Sequence, residues 1–240
     1  MEVIRDIRNW DLIGNGIVTI GTFDGVHLGH KRILHRLNEI KTDINQKTIV
    51  FTFEPHPRKV LFPDQTDLQL LSNLDEKIEL FKAQNVDLLI VYPFTREYAQ
   101  IEPERFISEI LVDKLKVKTI VIGYDHKFGK DRKGDIGTFK IAAKNYGFEV
   151  EEIPAQEINE INISSTKIRK ALFEGDIKGA KDFLGFNYFI SGKVGHGKKI
   201  GKTINFPTAN ISISDADKLI PKNGVYLVGV EVEDFKGFGM

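Results

Sequence analysis

The stretch VTIGTFDGVHLGHKRIL, Val18 to Leu34, decides how the rest of the chain is read. It opens as a short apolar β run, turns through Gly21 and Gly25, and enters a helix whose first turn carries His27 and His30. A strand that feeds a helix through a glycine turn is the opening half of a parallel crossover unit. Apolar, β-rich runs recur at GIVTIG (16–21), KTIVFTF (47–53), VDLLIVY (86–92), KTIVIG (118–123) and GFEVEEI (147–153). Helical periods lie between them: Ile33, Leu37 and Ile40; Leu74, Ile78 and Phe81; Ile107, Ile110, Leu111 and Leu115; and a run from Ile136 to Tyr146. The alternation predicts an α/β fold, a mostly parallel sheet covered by helices, with ligands at the carboxyl ends of its strands.

After Ile163 the texture changes. SSTKIRKALFEGDIKGAKDFLG (164–185) reads as two short helices parted at Gly175 and Asp176, the first capped by Ser164 or Ser165. From Asn187 short β patterns with glycine take over, at YFISGKVGHG (188–197), FPTANISI (206–213) and GVYLVGVEVE (224–233). These predict a first domain over residues 1–185 and a small all-β domain over 186–240.

Composition narrows the function classes. The 34 basic and 34 acidic side chains cancel, so no basic footprint marks a nucleic-acid binder, and small-molecule partners are expected. The absence of cysteine excludes disulfides and thiolate metal sites and fits a reducing, cytoplasmic setting. The opening MEVIRDIRNW mixes acids with its apolar residues and reads neither as a secretory signal nor as a spanning helix, so no membrane partner is expected. Nothing in these letters specifies an oligomeric state.

At the helix entrance, His27 and His30 stand three residues apart and point the same way. A helix N-terminus offers unsatisfied N–H groups and a positive dipole end, so two imidazole donors there suit a polyphosphate. Gly29 leaves room for close approach of a ligand to the backbone. Two surface histidines after a tight turn, or half of a metal site, would give the same letters. His35 lies further round the helix and is expected to be exposed. Two later segments favour an anion site. GYDHKFGKDRKGD (123–135) is a lysine- and glycine-rich loop at the end of the fourth β run, and SSTKIR (164–169) supplies a second helix N-terminus with Arg169 one turn in. Capping explains the serines and does not explain the arginine.

GTFDGVHLGH (21–30), FTFEPHP (51–57), GYDHKFG (123–129) and SSTKIR, in this order and spacing, resemble the adenylyltransferase half of the prokaryotic bifunctional riboflavin kinase/FAD synthetase family. GKTINFPTANI (201–211) resembles its kinase half. The resemblance implies a Rossmann-like nucleotidyltransferase that joins FMN to the AMP part of ATP and releases pyrophosphate, followed by a riboflavin kinase-like β-barrel domain. It implies that His27, His30 and Arg169 are catalytic, and that Gly21, Phe23, Asp24, Gly29, Asp125, Ser165 and Thr166 bind ATP. It places Pro55, Pro57, Phe62 and Phe128 against the flavin. His126 stands where the family is expected to carry phenylalanine. Magnesium would be held through substrate phosphates, with Thr208 and Asn210 holding metal and nucleotide in the kinase module. ATP, FMN and riboflavin are the implied substrates and FAD the implied product.

GKKIGKT (197–203) falls one residue short of a P-loop and no helical pattern follows, so that reading is rejected. Lys202 replaces a usual arginine of the kinase motif and Asn205 a usual glycine. The sequence stops at KGFGM (236–240), where the resemblance implies further strands and a general-base glutamate. The expectation is therefore adenylyl transfer without riboflavin phosphorylation. The residues also admit a nucleotidyltransferase of the same fold acting on nicotinamide mononucleotide or phosphopantetheine, or a non-catalytic flavin- or nucleotide-binding module.

Overall fold

The computed structural model describes residues 1–5, 7, 15–43, 45–64, 68–154, 163–195 and 208–240. Its centre is a parallel six-stranded sheet. In chain order the strands are β1 (Glu2–Ile4), β2 (Gly16–Ile20), β3 (Lys47–Glu54), β4 (Leu88–Pro93), β5 (Val117–Gly123) and β6 (Glu149–Ile153). They lie side by side in the order β1-β4-β3-β2-β5-β6. All five β runs read from the sequence are strands. The three-residue β1 is the addition, too short to show a period before it pairs with β4.

The four inner strands are buried on both faces over most of their length, and alternate residues serve opposite layers. Val18 and Ile20 join Ile49, Phe51, Ile90 and Ile122 in one core, closed by Phe106, Ile107 and Leu111 and by Phe139. On the other face Val50, Leu89 and Val91 meet Leu34 and Phe81, while Ile17 and Val121 meet Leu37. Leu34 and Leu37 come from helix α1 (Leu28–Ile40). A short α2 (Pro57–Leu61) follows β3, and α3 (Leu74–Lys82) brings Phe81. On the first face a turn of helix, α4 (Pro103–Arg105), runs into a π-helix (Phe106–Lys114), and α5 (Ile136–Tyr146) lies beside it. The apolar residues read as one helix in the sequence are wound with wider hydrogen bonds, the Leu115 amide reaching the Ile110 carbonyl at 2.9 Å.

Helices α6 (Ser165–Glu174) and α7 (Ile177–Leu184) follow. Ser164 caps the first, its Oγ accepting from the Lys167 amide, and Asp176 caps the second. Both end at left-handed glycines, Gly175 and Gly185. Ile168, Ala171, Leu172, Ala180 and Leu184 form a separate small core with Leu71 and Leu219. Beyond α7, β7 (Lys193–Gly195) pairs antiparallel with β8 (Asn210–Ser212), and β9 (Val228–Val232) with β10 (Phe235–Gly239). The expected small β elements are thus present as two separate two-stranded sheets. The GKKIGKT stretch, Lys202 and Asn205 lie outside the described residues.

Sheet order fixes where a ligand can sit. Strands β3 and β4 lie on one side of β2, and β5 and β6 on the other, so the order in which successive strands are laid down reverses between β2 and β5 while all of them stay parallel. A crevice opens at the carboxyl ends of the strands at such a point. The turn leaving β2 is tightly folded, with φ of 48° at Phe23, 81° at Gly25 and 38° at Val26. A Cβ on Gly25 would lie 2.8 Å from Leu71 Cδ1 and 2.9 Å from its Cβ. Gly25→Ala therefore combines an unfavourable φ with a clash against the Leu71 side chain and is expected to cost roughly 1–3 kcal/mol of stability, read from urea unfolding of the two proteins.

Candidate functional site

A cleft of about 850 Å³ occupies the crevice. Its walls are the β2 turn and the first turn of α1, the loop after β5, the segment around α2, and the start of α6. Of the residues singled out in the sequence, Gly21, Phe23, His27, Gly29, His30, Pro57, Phe62, Asp125, Phe128 and Ser165 line it. Asp24, Pro55, Thr166, Arg169, Thr208 and Asn210 are not in its lining. Phe62 is 49% exposed at the rim and so is not part of the core.

The two histidines share one face by stacking, with ring centroids 3.6 Å apart and planes inclined 17°. His27 is itself the N-cap of α1. Its Nδ1 accepts the His30 amide at 3.4 Å, which leaves the imidazole proton on Nε2. His30 meets Phe23 edge-on at 5.1 Å. Burial lowers both pKa values, that of His27 to about 4 with Arg169 adding to the effect, and that of His30 well below its ordinary value, aided by His27 and Lys77. At neutral pH both rings are uncharged donors. Among the described residues, the buried side-chain polar atoms without a hydrogen-bond partner are Thr19 Oγ1, His30 Nδ1 and His126 Nε2. All three residues line this cleft. Native interiors rarely leave such groups unsatisfied, so three of them lining one cleft point to polar partners inside it.

Asp24 and Arg169 lie just behind the wall. Asp24 Oδ1 accepts the amides of Leu71 at 2.9 Å and Ser72 at 3.2 Å, and Oδ2 pairs with the Arg169 guanidinium. Arg169 Nε also donates to the Gln69 carbonyl at 2.7 Å, and Ser165 Oγ to the Asp24 carbonyl at 3.1 Å. Arg169 is thus held in place by the protein before any ligand arrives. Burial raises the Asp24 pKa, opposed by the positive charges of Arg169 and Lys77.

The far side of the cleft is aromatic. Phe128 stacks on Phe139 at 4.2 Å, and His126 lies 5.9 Å from Phe128 and 6.2 Å from Phe139. Burial lowers the His126 pKa to about 4, so the imidazole sits in this stack as a neutral ring. Phe53, Phe94 and Tyr98 continue the wall, with centroids 5.5 Å apart for Phe53–Phe94 and for Phe94–Tyr98. Sequence reasoning passed over these three, because their periods match an ordinary core. Arg58 and Arg132 also line the cleft. Their signals were adjacent to motifs already quoted, Arg58 directly after FEPHP and Arg132 inside the 123–135 loop.

Among the described residues, no three His, Asp or Glu side chains cluster as a metal site. Thr208 and Asn210 are exposed at the start of the β8 region.

The buried histidines have a consequence for stability. His27, His56 and His126 are lowered to about 4, and His30 well below 6.5, so the unfolded chain takes up protons that the folded one refuses. Their contribution is complete above the unfolded value and is lost as pH falls from about 6.5 towards 4, at up to roughly 1.4 kcal/mol per pH unit for each. Asp24, with its raised pKa, contributes in the opposite sense. His126→Phe is expected to flatten the dependence of the urea midpoint on pH across this window by one histidine's share.

Comparison with known proteins agrees with this geometry. The chain matches the FAD synthetase family over residues 12–167 and the riboflavin kinase family over residues 184–240. It is 40% identical over 232 residues to the bifunctional riboflavin kinase/FMN adenylyltransferase of Buchnera aphidicola from Acyrthosiphon pisum, covering 96% of this chain and 73% of that one. With the Escherichia coli enzyme of the same name it shares 36% identity over 232 residues, with the same coverage. A crystal structure described as a macrolide-efflux protein from Streptococcus pneumoniae superposes with a TM-score of 0.85 at 31% identity, covering 98% of this chain and 76% of that one. Among the described residues, no helix is long and apolar enough to cross a membrane. A parallel sheet whose strand order reverses at β2, a histidine pair at the following helix N-terminus and relatives matched over nearly the whole chain converge, and the chain belongs to the bifunctional riboflavin kinase/FMN adenylyltransferase family, with its FAD synthetase part matched over 12–167 and its riboflavin kinase part over 184–240.

Proposed function

We propose that the cleft between β2 and β5 joins FMN to the adenylyl group of ATP, and that residues 1–185 form the unit that does so. The observation that carries this reading is the convergence of Thr19, His30 and His126, each with an unsatisfied buried polar atom, on a cleft that also takes in the start of α1 and of α6. The reaction is in-line attack of an FMN phosphate oxygen on the α-phosphorus of ATP. The new P–O bond forms as the bond to the pyrophosphate oxygen breaks, and no enzyme nucleophile is required. The protein positions the two reactants and stabilises charge as it moves onto pyrophosphate.

The first turn of α1 receives the ATP phosphates. Its free amides, the Nε2–H of His27 and the His30 imidazole donate to phosphate oxygens. Because both rings are neutral, they act as hydrogen-bond donors and not as counter-charges. Ser165 and Thr166 at the head of α6 close on the nucleotide from the other side, Gly21, Phe23, Gly29 and Asp125 complete its site, and the Asp24–Arg169 pair behind the wall holds these groups in place, with Arg169 supplying positive charge to the phosphates. The isoalloxazine ring lies on the aromatic side, between the Pro55–Pro57 turn with Phe62 and the Phe128 stack. Magnesium would be held together with the substrate and would supply charge neutralisation at its phosphates. Asp125 and Asp131 are carboxylates in the cleft wall, a sparse oxygen set that suits an ion held mainly by substrate and water.

In the second unit, residues 186–240, Thr208 and Asn210 stand at a kinase-type nucleotide site. The described strands there pair only in twos, and Val225, Leu227 and Phe238 are 80% or more exposed. We infer that this polypeptide, assayed alone, makes FAD from FMN and does not phosphorylate riboflavin.

Incubation with FMN, ATP and magnesium is expected to lower flavin fluorescence as FAD forms, with equimolar pyrophosphate. Flavin binding without turnover would sink the catalytic reading, and FMN formation from riboflavin would sink the second inference. His30→Ala is expected to reduce kcat by ~10²–10³-fold, as for loss of one preorganised donor, with little change in flavin affinity. Arg169→Lys keeps charge and loses the fork that spans Asp24 and Gln69, so kcat is expected to fall by about tenfold or more. Unchanged steady-state kinetics in either variant would remove that residue from the site.

A further inference from the structure

The segment Asp215–Lys222, within the stretch matched by the riboflavin kinase family, packs behind the wall of the adenylyl-transfer cleft, against Leu70, Lys59 and Leu172. Lys218 and Glu76 form an ion pair at 2.6 Å with both side chains 1% exposed. Lys218 Nζ also donates to the carbonyls of Leu71 at 2.7 Å and Phe189 at 3.0 Å, and lies 4.3 Å from the centroid of the Tyr188 ring. Glu76 Oε1 takes the amide and hydroxyl of Ser191, each at 2.9 Å, and Oε2 takes the Asn73 amide at 3.1 Å. Every hydrogen of the ammonium and both carboxylate oxygens are used.

A buried, fully satisfied ion pair adds little net stability over an apolar pair of the same volume, because desolvation offsets the attraction. What it can supply is register, and the surrounding bonds show which register. The Leu70 amide reaches the Asp217 carbonyl at 2.6 Å and the Leu219 amide reaches the Leu70 carbonyl at 2.8 Å, a parallel bridge across the two segments. The next two amides of that segment, Leu71 and Ser72, are the ones held by Asp24, which in turn pairs with Arg169. On the other side Asp217 Oδ1 grips Lys59 of α2 at 2.6 Å, beside Pro57, Arg58 and Leu61 in the cleft wall. The Lys222 amide bonds to the Leu172 carbonyl of α6, the helix that bears Arg169.

We propose that Asp215–Lys222 is a positioning element of the adenylyl-transfer site, with Lys218 fixing the Leu70–Ser72 segment against Asp24 and Asp217 fixing α2 at the flavin side. Lys218 touches no substrate and acts through Leu71, Asp24 and Arg169. The inference rests on the FMN adenylyltransferase reading above, and it makes the carboxyl-terminal part of the chain a structural participant in chemistry assigned to the amino-terminal part.

The test uses the full chain. Asp217→Asn, at a side chain 45% exposed, is expected to raise the KM for FMN several-fold while leaving the KM for ATP unchanged. The paired variant Lys218→Met/Glu76→Gln removes both buried charges together. It is expected to keep the far-UV spectrum and lower kcat by about tenfold or more, since a misplacement of ~1 Å costs up to ~100-fold. Hydrogen exchange at the Leu71 and Ser72 amides is expected to speed up in the paired variant, a readout independent of turnover. A folded paired variant with wild-type kcat and wild-type exchange at those amides overturns the proposal. If that variant fails to fold, the FMN KM of Asp217→Asn decides, and an unchanged value overturns it. A wild-type chain that forms no FAD would overturn the catalytic reading instead, and the exchange rates would then still report on the latch.

Discussion

One buried carboxylate holds the candidate site together. Asp24 is 3% exposed, yet it binds the amides of Leu71 and Ser72, the guanidinium of Arg169 and, through its own carbonyl, the Ser165 hydroxyl. A lone ionised carboxylate at that depth would neutralise itself, and burial does push its pKa upward. Arg169 and Lys77 oppose that shift, so the turn after β2, the segment before α3 and the head of α6 meet at one point of balanced charge. The tight turn at Gly25 follows from this arrangement. The chain must double back sharply to bring Asp24 inward while still presenting His27 at the helix mouth.

The cleft therefore has two unlike halves on one crevice. The half at the start of α1 offers hydrogen-bond donors in fixed directions and almost no titratable charge, since both histidines are kept neutral by burial. The half at β3, β4 and the loop after β5 is a run of aromatic rings, from Phe53 and Phe94 through Tyr98 to Phe128 and Phe139. An environment of donors fixed in advance suits charge shifting along a phosphate chain, because little has to reorganise when the charge moves. The aromatic half suits a flat, largely apolar ring. Neither half needs a side chain that forms a covalent bond.

Much of this was legible in the sequence because its determinants are local. The five main strands announced themselves by apolar runs, the cap of α6 was narrowed to Ser164 or Ser165 by residue type, and Gly175 and Asp176 marked the break before α7. The His27–His30 pair could be placed at a helix entrance from the preceding glycine turn. Other features escaped. β1 has three residues and acquires its identity only from β4. The π-winding of Phe106–Lys114 leaves the apolar pattern close to that of an α-helix. Lys218 carries no local signal, since a lysine in DADKLI reads as solvated, and its burial depends on Glu76, 142 residues earlier. His27 as its own helix cap was missed for a different reason, because imidazole is not among the residue types that usually fill that position.

The parallel bridge between Leu70 and Lys218 also sets an order in time. The six strands and α1 to α6 are complete by Glu174, so a growing polypeptide can assemble the sheet, stack the two histidines and pair Asp24 with Arg169 well before its carboxyl-terminal residues exist. The backbone that Asp24 grips on its other side gains its cover only when residues 217–219 have been made. During synthesis the cleft therefore exists first with an open flank, and closing that flank means bringing together segments 147 residues apart. Loop-closure entropy grows only slowly with length, so the wait is governed by the ribosome and not by chain statistics.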